Sequence, residues 1–226
     1  MPGPGKSVPQ ERRIFHFTHI DNVSAIATAG YLLCDTSARQ ALRQEVGDPA
    51  IKEARRQREI PVGPGGRVGA YVPFYFGWRS PMMFRIACDH RDFVKGRYLD
   101  GDRPLVYFAT TVEEVIKAGL PWVATDGNAA TATTEFSTDP GRLDTMVDWS
   151  LMRAELWHNT PDDPDRQRRR MAEFLVAERT PLSIFRWVAT YDDTYASRDR
   201  DALAGHPTQA RVLVRPSWYY GYTRRG

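Results

Sequence analysis

The chain has 226 residues, which is enough for one large domain or two small ones. Hydrophobic residues make up 42% of it and charged residues 26%, so the sequence can bury a core, and a wholly disordered chain is excluded. The 31 basic and 28 acidic residues leave a net charge of only +3. A nucleic-acid partner would therefore have to bind a local basic patch.

Signals for membrane insertion or export are missing from the sequence. The longest nearly apolar stretch, residues 71–78, has eight residues and contains Pro73, whereas a spanning helix needs about 20. Residues 1–10 have no apolar segment of the kind found in secretory signals. We therefore expect a cytoplasmic monomer without membrane contact, in which residues 1–10 form a flexible tail ahead of a single domain, residues 11–226.

The predicted elements begin with a strand followed by a helix. Residues 14–20 combine aromatic and β-branched side chains, which predicts a strand. A helix follows over Asn22–Ala29, with Asp21 as its N-cap and Gly30 at its end.

The remaining elements mix strands and helices without a βαβ rhythm. Glycines and prolines predict a loop over residues 61–66. Further helices are predicted at 39–59 (with a break at Pro49), 112–119, 143–157 and 162–172. Further strands are predicted at 71–76, 82–88, 105–110, 173–178, 184–191 and 211–215. This mixture indicates an α+β fold with a largely antiparallel sheet.

Common nucleotide-binding and hydrolase motifs do not occur. The sequence has no P-loop pattern, no G-x-G-x-x-G and no G-x-S-x-G. His16 and His19 are three residues apart in a predicted strand, which puts them on opposite faces and argues against a shared metal. They are either polar groups near a ligand or ordinary core histidines. Cys34 and Cys88 also lack metal-ligand spacing, and we expect reduced thiols.

Two segments concentrate basic residues. Residues 39–67 hold seven basic and four acidic side chains, and a second cluster comprises Arg166, Arg168, Arg169 and Arg170. Aromatic segments at 71–79 and 217–220 accompany them. Basic groups bind phosphates and aromatic faces stack on unpaired bases, so Arg168 and Arg169 are candidate DNA contacts. A solvated helix face with core aromatics would give the same pattern, and both interpretations stay open.

Glu173 is the acidic residue that stands out. It follows three arginines and opens the apolar run of residues 174–176. A carboxylate there is either a capping or salt-bridged group, or a catalytic group that stabilises an oxocarbenium-like transition state.

Several long segments together resemble one family. They are FHFTHIDNVSAIATAGYLL near the N-terminus, PGGRVGAYVPFYFGWRSPMMF, TDGNAA, WHNTPDDPDRQRRRMAEFLV and the terminal WYY. In this order they resemble DarT, a family of bacterial toxins that ADP-ribosylate DNA bases. The resemblance spans about residues 14–220.

The resemblance implies an ADP-ribosyltransferase fold, with a split, mostly antiparallel sheet, an NAD cleft and flanking helices. It implies NAD as the ADP-ribose donor and a thymine ring nitrogen in single-stranded DNA as the acceptor, with nicotinamide released. It implies that no metal is needed. It also implies a partner, the macrodomain antitoxin DarG, which removes the modification and binds the toxin.

The resemblance also assigns roles to individual residues. The residues that match NAD-contacting positions are His16, Phe17, Thr18, Asn22, Ala25, Leu33, Arg55, Tyr75 and Met82. Glu173 matches the catalytic glutamate, and Arg55 matches an arginine of the catalytic centre, although a shift of one residue would exchange it for Arg56. Arg79 lies in the segment that faces DNA. Asn128 stands where some relatives carry a histidine, and we expect it on the DNA side.

Other functions remain alternatives at this point. The same transferase could act on guanine or on RNA. A nucleic-acid-binding NAD glycohydrolase would use water as the acceptor. A nucleic-acid-binding module without chemistry would not depend on Glu173.

Overall fold

The computed structural model describes residues 11–38, 44–92 and 98–223. The flexible tail predicted for residues 1–10 lies outside the described residues, as do residues 39–43 at the start of one predicted helix. The strands are β1 Arg13–His19, β2 Tyr31–Leu33, β3 Tyr71–Tyr75, β4 Leu105–Thr111, β5 Trp122–Thr125, β6 Phe136–Ser137, β7 Glu173–Ala177, β8 Arg179–Pro181, β9 Trp187–Thr190 and β10 Arg211–Val214. The helices are α1 Val23–Ala29, α2 Asp35–Ala38, α3 Pro49–Gln57, α4 Pro81–Arg91, α5 Val112–Lys117, α6 Leu143–Met146, α7 Trp149–Arg153, α8 Arg166–Arg170 and α9 Asp193–Leu203.

Eight strands form the main sheet, in the order β10-β9-β4-β1-β3-β7-β5-β6. Strands β9 and β10 pair in parallel, and the other neighbours in this sheet are antiparallel. Strands β2 and β8 form a separate two-stranded sheet. The predicted α+β fold with a largely antiparallel sheet is confirmed.

The main sheet is split between β1 and β3. Seven residue pairs join β1 to β4 and five join β3 to β7, but Phe15 and Tyr75 are the one register pair between β1 and β3. Pro73 contributes to this split because it has no N–H to donate across the gap. Its carbonyl accepts instead from the ring Nδ1 of His16 at 2.8 Å. The two strands therefore diverge on either side of one contact.

Side-chain alternation along β1 builds a core on both faces of the sheet. Ile14 packs in the larger cluster with Phe74 and Phe174, whereas Phe15 and Phe17 pack in a second cluster. Both clusters consist of fully or nearly fully buried side chains, each worth about 1.5–3 kcal/mol relative to an exposed position. Because successive side chains of a strand point to opposite faces, the run of apolar residues serves both layers.

The segment 82–88, predicted as a strand, is helical, and that prediction was wrong. Ser80 caps α4 by accepting from the backbone N–H of Met83 at 3.2 Å, and Pro81 occupies the first turn. Met83, Ile86 and Ala87 are buried at the spacing of one helix face. The apolar composition of this segment favours a strand. The Ser80–Pro81 helix start and the spacing of three to four between buried residues favour a helix, and they outweigh the composition.

Other predicted boundaries also change. Pro49 begins α3 instead of interrupting a helix, because Asp48 caps it by accepting from Ala50 N at 2.9 Å. Asp21 lies in a short 3-10 turn and does not cap α1, whereas Gly30 ends α1 with φ +74° as predicted. The helices predicted at 143–157 and 162–172 are shorter, because Asp148 starts α7 after a break and α8 covers only Arg166–Arg170. Strands β2, β5, β6 and β8 were not predicted.

The C-terminal segment is fixed across the sheet by polar contacts. Tyr219 is 1% exposed, and its hydroxyl lies 2.8 Å from the carbonyl of Leu105 and 2.9 Å from that of Ala189. The Asp102 carboxylate accepts from the next two backbone N–H groups, at residues 220 and 221. Residues 219–221 are thus part of the folded domain.

Replacing Tyr219 with phenylalanine should lower the free energy of unfolding by about 1 kcal/mol, because the ring stays buried but its hydrogen bond to the sheet is lost. Urea denaturation measures the change. Tyr222→Phe, the same substitution at a more exposed ring, is the control. Equal midpoints for the two variants would contradict the anchoring role of the Tyr219 hydroxyl.

Candidate active site

A cavity of about 730 Å³ opens where β1 and β3 part. Its walls include all but one of the residues predicted to contact NAD: His16, Phe17, Thr18, Ala25, Leu33, Arg55, Tyr75 and Met82. Glu173 and Asn128 also line it. Segments that are more than 100 residues apart in the sequence therefore meet at one site.

Asn22 is the predicted contact that does not line the cavity. Its side chain is fully buried, and its amide donates to Thr18 Oγ1 at 2.9 Å and to the carbonyl of Gln44 at 2.7 Å. Its amide oxygen accepts from Gln44 N at 2.9 Å. Asn22 thus supports the cavity wall from behind, by joining Thr18 to residue 44.

The carboxylate of Glu173 lies at the inner end of the cavity and is 2% exposed. Arg55 Nη1 donates to both of its oxygens, at 3.0 Å to Oε1 and 2.8 Å to Oε2. The backbone N–H of Ala129 donates to Oε1 at 3.1 Å. A buried charge needs such partners to stay ionised, and the N–H donor also fixes the orientation of the carboxylate.

The backbone around Glu173 is held by the neighbouring strand. Thr125 Oγ1 accepts from Glu173 N at 3.0 Å, at the end of β5. Glu173 stands opposite Tyr75 in the β3–β7 register. The catalytic candidate therefore sits at the start of a central strand, on a rigid element.

The structure distinguishes Arg55 from Arg56. Arg55 points to Glu173, and its Nη2 has no hydrogen-bond partner among the described residues. Arg56 instead pairs with Glu53 and Asp35 on the outside of α3. Arg55 is the arginine that could act at the Glu173 carboxylate.

Tyr75 and Phe17 form an aromatic wall beside Glu173. Their rings stack with centroids 6.1 Å apart, and the Tyr75 hydroxyl lies 3.7 Å from Met82 Sδ. Burial, and then the negative charge of Glu173, raise the pKa of Tyr75 well above its usual range. The phenol therefore stays neutral and keeps its proton.

His16 presents a neutral ring to the cavity. Burial lowers the pKa of His16 from 6.5 to about 4. The bond to the Pro73 carbonyl opposes this shift, and the positive charge of Lys52 adds to it. Because a carbonyl can only accept, Nδ1 carries the ring proton and Nε2 is left as an acceptor. His16 can thus accept a hydrogen bond from a ligand amide.

The residues predicted to contact DNA are all engaged in contacts within the protein. Asn128 lines the cavity and accepts from Ala130 N at 2.9 Å. Arg79, with a left-handed φ of +54°, donates from Nε to the carbonyl of Tyr219 at 3.0 Å. Arg168 and Arg169 pair with aspartates. Contact of these four residues with DNA stays a prediction.

Sequence reasoning missed several residues of the cavity. Lys52 lines it one helical turn before Arg55 and pairs with Asp35 at 2.9 Å. Gln167 lines it from α8, next to the arginines that had drawn attention. The spacing of three puts Lys52 on the same face of the helix as Arg55, and this could have identified Lys52 from the sequence. Nothing in the sequence distinguishes Gln167 as a cavity residue.

Metal ligands and membrane-spanning segments were searched for in the described parts of the chain. Within residues 11–38, 44–92 and 98–223, no three His, Cys, Asp or Glu side chains are close enough to hold a metal ion. None of the helices described above is long and apolar enough to cross a membrane.

A family model described as "DarT: ssDNA thymidine ADP-ribosyltransferase" matches residues 15–220 of the chain. The chain belongs to the DarT family. It is therefore an NAD-dependent DNA ADP-ribosyltransferase, and the predicted family and enzyme class are confirmed. A DarT relative from Mycobacterium tuberculosis, named DNA ADP-ribosyl transferase, is 36% identical over 221 residues, covering 96% of this chain and 93% of its own.

Solved structures of Thermus sp. 2.9 DarT share the fold. Its complex with ADP-ribosylated ssDNA aligns with a TM-score of 0.84 and 29% identity, over 95% of this chain and 99% of that one. Its complex with NAD+ aligns with a TM-score of 0.78 and 27% identity, over 95% and 100%. A DNA ADP-ribosyl transferase–glycohydrolase fusion protein from Thermosipho africanus is 26% identical and covers 94% of this chain, which spans half of that protein.

Glu173→Gln should reduce ADP-ribose transfer by about 10²–10³ in kcat, because the charge that opposes a developing ribose cation is lost. NAD and DNA binding should be retained. Nicotinamide release per folded molecule measures the effect, and Glu178→Gln, at an exposed position just beyond β7, is the matched control. A variant that melts at lower temperature but keeps the parent rate would reduce Glu173 to a salt-bridge partner of Arg55.

His16 should make the protein less stable in mild acid. Its folded pKa of about 4 lies below the ordinary 6.5, so its contribution to stability is complete above about pH 6.5. That contribution is lost as the pH falls towards about 4, where the unfolded chain takes up the proton first. The urea midpoint should therefore drop more for the parent than for His16→Gln over this range. Parallel curves for the two proteins would exclude a lowered pKa for His16.

Proposed function

We propose that this protein transfers ADP-ribose from NAD to the ring nitrogen of thymine in single-stranded DNA and releases nicotinamide. The observation that carries this proposal is the buried Glu173 carboxylate, oriented by Arg55 and the Ala129 N–H at the inner end of the split-sheet cavity. The family description names thymidine in single-stranded DNA. The Thermus sp. 2.9 complexes with NAD+ and with ADP-ribosylated ssDNA support both substrates.

NAD binds with its nicotinamide end against the segment His16–Thr18. The split between β1 and β3 leaves backbone and side-chain groups of this segment facing the cavity. Neutral His16 offers an acceptor, and the Phe17–Tyr75 wall offers an aromatic face for a flat ring. Helix α3, which carries Arg55, forms one wall of the cavity and helps to exclude water.

The bond between nicotinamide and ribose breaks with its electron pair leaving on nicotinamide. Positive charge then develops on the ribose, as in glycoside cleavage. Glu173 stabilises that charge and accepts a hydrogen bond from the ribose 2′-OH. Because the carboxylate is buried and its orientation fixed, the interaction is stronger than it would be in water.

The thymine nitrogen forms the new bond to the ribose carbon, and its proton passes to solvent water. Arg55 is a poor base because a guanidinium stays protonated at neutral pH. Its Nη2 makes no hydrogen bond to any described residue, and its charge lies beside Glu173. The role we assign to Arg55 is electrostatic stabilisation of the anionic base that forms as the proton leaves.

We place the DNA strand at the mouth of the cavity near Asn128 and Arg79. Asn128 lines the cavity, and Arg79 lies on the loop that leads from β3 to α4. The aromatic rings of Trp78 and Trp218, stacked 6.0 Å apart, adjoin this loop and could accept an unpaired base.

We further propose that the protein is a monomeric, cytoplasmic toxin paired with a DarG macrodomain antitoxin. The Thermosipho africanus fusion protein supports the pairing, because it combines a DNA ADP-ribosyl transferase and a DNA ADP-ribosyl glycohydrolase in one chain. Co-purification of the two separate chains tests this part.

The enzyme should modify single strands about tenfold or more faster than the matched duplex, because the acceptor edge of a paired thymine is buried. Mass spectrometry of mixed-sequence oligonucleotides incubated with protein and NAD detects the added ADP-ribose and locates the base. Glu173→Gln is the negative control. Modification of guanine or of an RNA oligonucleotide would instead support those acceptors, and NAD cleavage that does not depend on nucleic acid would support a glycohydrolase.

A further inference from the structure

The second basic cluster of the sequence lies on the short helix α8, three to seven residues before Glu173. As free cations its arginines would form a surface for phosphates. In the structure each of them has defined partners. Arg170 is buried and donates to the carbonyls of Leu151, Ala154 and Trp78. Arg168 and Arg169, however, differ in what they hold.

Arg168 joins α8 to the loop that follows β5. Its Nε and Nη2 form a two-pronged contact with Asp165, at 2.8 and 2.9 Å. Its Nη1 donates to Asp126 Oδ2 at 2.7 Å and to the Asp126 carbonyl at 3.3 Å. The stem of the side chain packs on Gly127, where an added Cβ would lie 3.2 Å from Nη1. All five N–H directions of a guanidinium are fixed in a plane, so this arrangement sets the position of the loop relative to the helix.

The loop that Arg168 holds supplies a donor to the candidate catalytic carboxylate. Asp126 closes the loop at its base, because its Oδ1 accepts from Glu135 N at 2.8 Å. Inside the loop, the Asn128 carbonyl accepts from Thr134 Oγ1 at 2.7 Å. The next residue, Ala129, is fully buried and directs its N–H to Glu173 Oε1 at 3.1 Å. Arg168 thus holds Asp126, and three residues further along the same loop the Ala129 N–H contacts Glu173.

We propose that Arg168 is a positioning residue for Glu173, acting through Asp126 and the loop 126–135. The inference rests on the proposed role of Glu173 in ADP-ribose transfer. When Arg168 is lost, the loop is free to shift, and the Ala129 N–H no longer fixes the carboxylate. Arg55 contacts both carboxylate oxygens from a single nitrogen, so it leaves the carboxylate plane free to turn.

Arg169 pairs with Asp148, with Asp163 and, at 3.7 Å, with Asp165, the aspartate that also holds Arg168. The matched control is therefore Arg166, on the same helix. Its Nε and Nη2 donate to the carbonyls of His158 and Leu156, at 3.1 and 2.7 Å, and neither residue belongs to the loop 126–135. Its removal changes the charge of α8 by the same amount as removal of Arg168, without releasing the loop.

The test compares Arg168→Gln, Asp126→Asn and Arg166→Gln with the parent enzyme. At saturating DNA and NAD, we expect kcat to fall about tenfold to a hundredfold in the first two variants and to stay near the parent value in the third. The salt dependence of DNA binding should be unchanged in Arg168→Gln. Asp126→Asn separates the two roles of Arg168 most sharply. It removes a negative charge, so DNA binding through a phosphate contact by Arg168 would be unchanged or stronger, whereas the positioning role predicts a lower kcat.

Hydrogen exchange of the backbone over residues 126–135 provides a readout that does not need activity. Exchange should be faster in Arg168→Gln and Asp126→Asn than in the parent or in Arg166→Gln. In a Glu173→Gln background, Arg168→Gln should cause no further loss of rate, because both changes act on the same group. If the parent enzyme transfers no ADP-ribose to DNA but the variants still show these differences in exchange, the proposed function is overturned. The structural link between Arg168 and the loop 126–135 would then still be supported.

Two results would overturn the proposal. One is a normal kcat for Arg168→Gln at saturating DNA together with weaker DNA binding and a salt slope reduced by about one. That result would make Arg168 a phosphate contact, as its charge first suggested. The other is an equal loss of kcat in Arg168→Gln and Arg166→Gln, which would indicate a general requirement for α8. Because Asp126→Asn tests the same contact from the other side, a poorly folding Arg168 variant would not prevent the decision.

Discussion

The site depends on one interruption of backbone pairing at the centre of the sheet. Backbone N–H and C=O groups that leave a ladder must find other partners, or the fold loses stability. Here Pro73 removes one donor at the gap, and the ring of His16 satisfies the Pro73 carbonyl. The single Phe15–Tyr75 pair keeps the two halves of the sheet together. The cavity therefore exists without a broad loss of hydrogen bonds, and its position is fixed by strands on both sides.

The second constraint is the burial of charge at the inner end of that cavity. A carboxylate with 2% exposure is tolerated only with a partner, and Arg55 provides the positive charge. Arg55 comes from α3, which has no buried residues and is held by ion pairs, including that of Lys52 with Asp35. The helix that covers the cavity thus also carries the positive charge that faces the Glu173 carboxylate.

Much of the fold could be predicted from local patterns, and the failures have identifiable causes. The strands at 14–20, 71–76 and 105–110 were found because aromatic and β-branched residues concentrate in central strands. Strand β6 was missed because two residues carry no periodicity. Residues 82–88 of α4 were wrongly predicted as a strand because their apolar start is typical of strands, although Ser80 and Pro81 mark the start of a helix.

The residues of the candidate site were predicted mainly from the resemblance to the DarT family. Which of these residues contact one another could not be predicted. Sequence spacing does not show that Arg55, not Arg56, reaches Glu173, because that depends on how α3 is rotated. Nor does a count of arginines on α8 reveal that aspartates distant in sequence, such as Asp126 and Asp148, neutralise them. The donor that orients Glu173 is the backbone of Ala129, and a backbone N–H leaves no mark in a sequence.

The order in which the cavity walls are synthesised has a consequence for the cell that makes this enzyme. One wall, at His16–Thr18, leaves the ribosome early, whereas Glu173 follows more than 150 residues later and Tyr219 comes last among the anchoring groups. Contacts of such long sequence separation form late in folding. A nascent or truncated chain that ends before β7 has no carboxylate at the inner end of the cavity. Catalytic power therefore arises only after β7 has been made, and translation that stops before β7 yields fragments without the catalytic carboxylate.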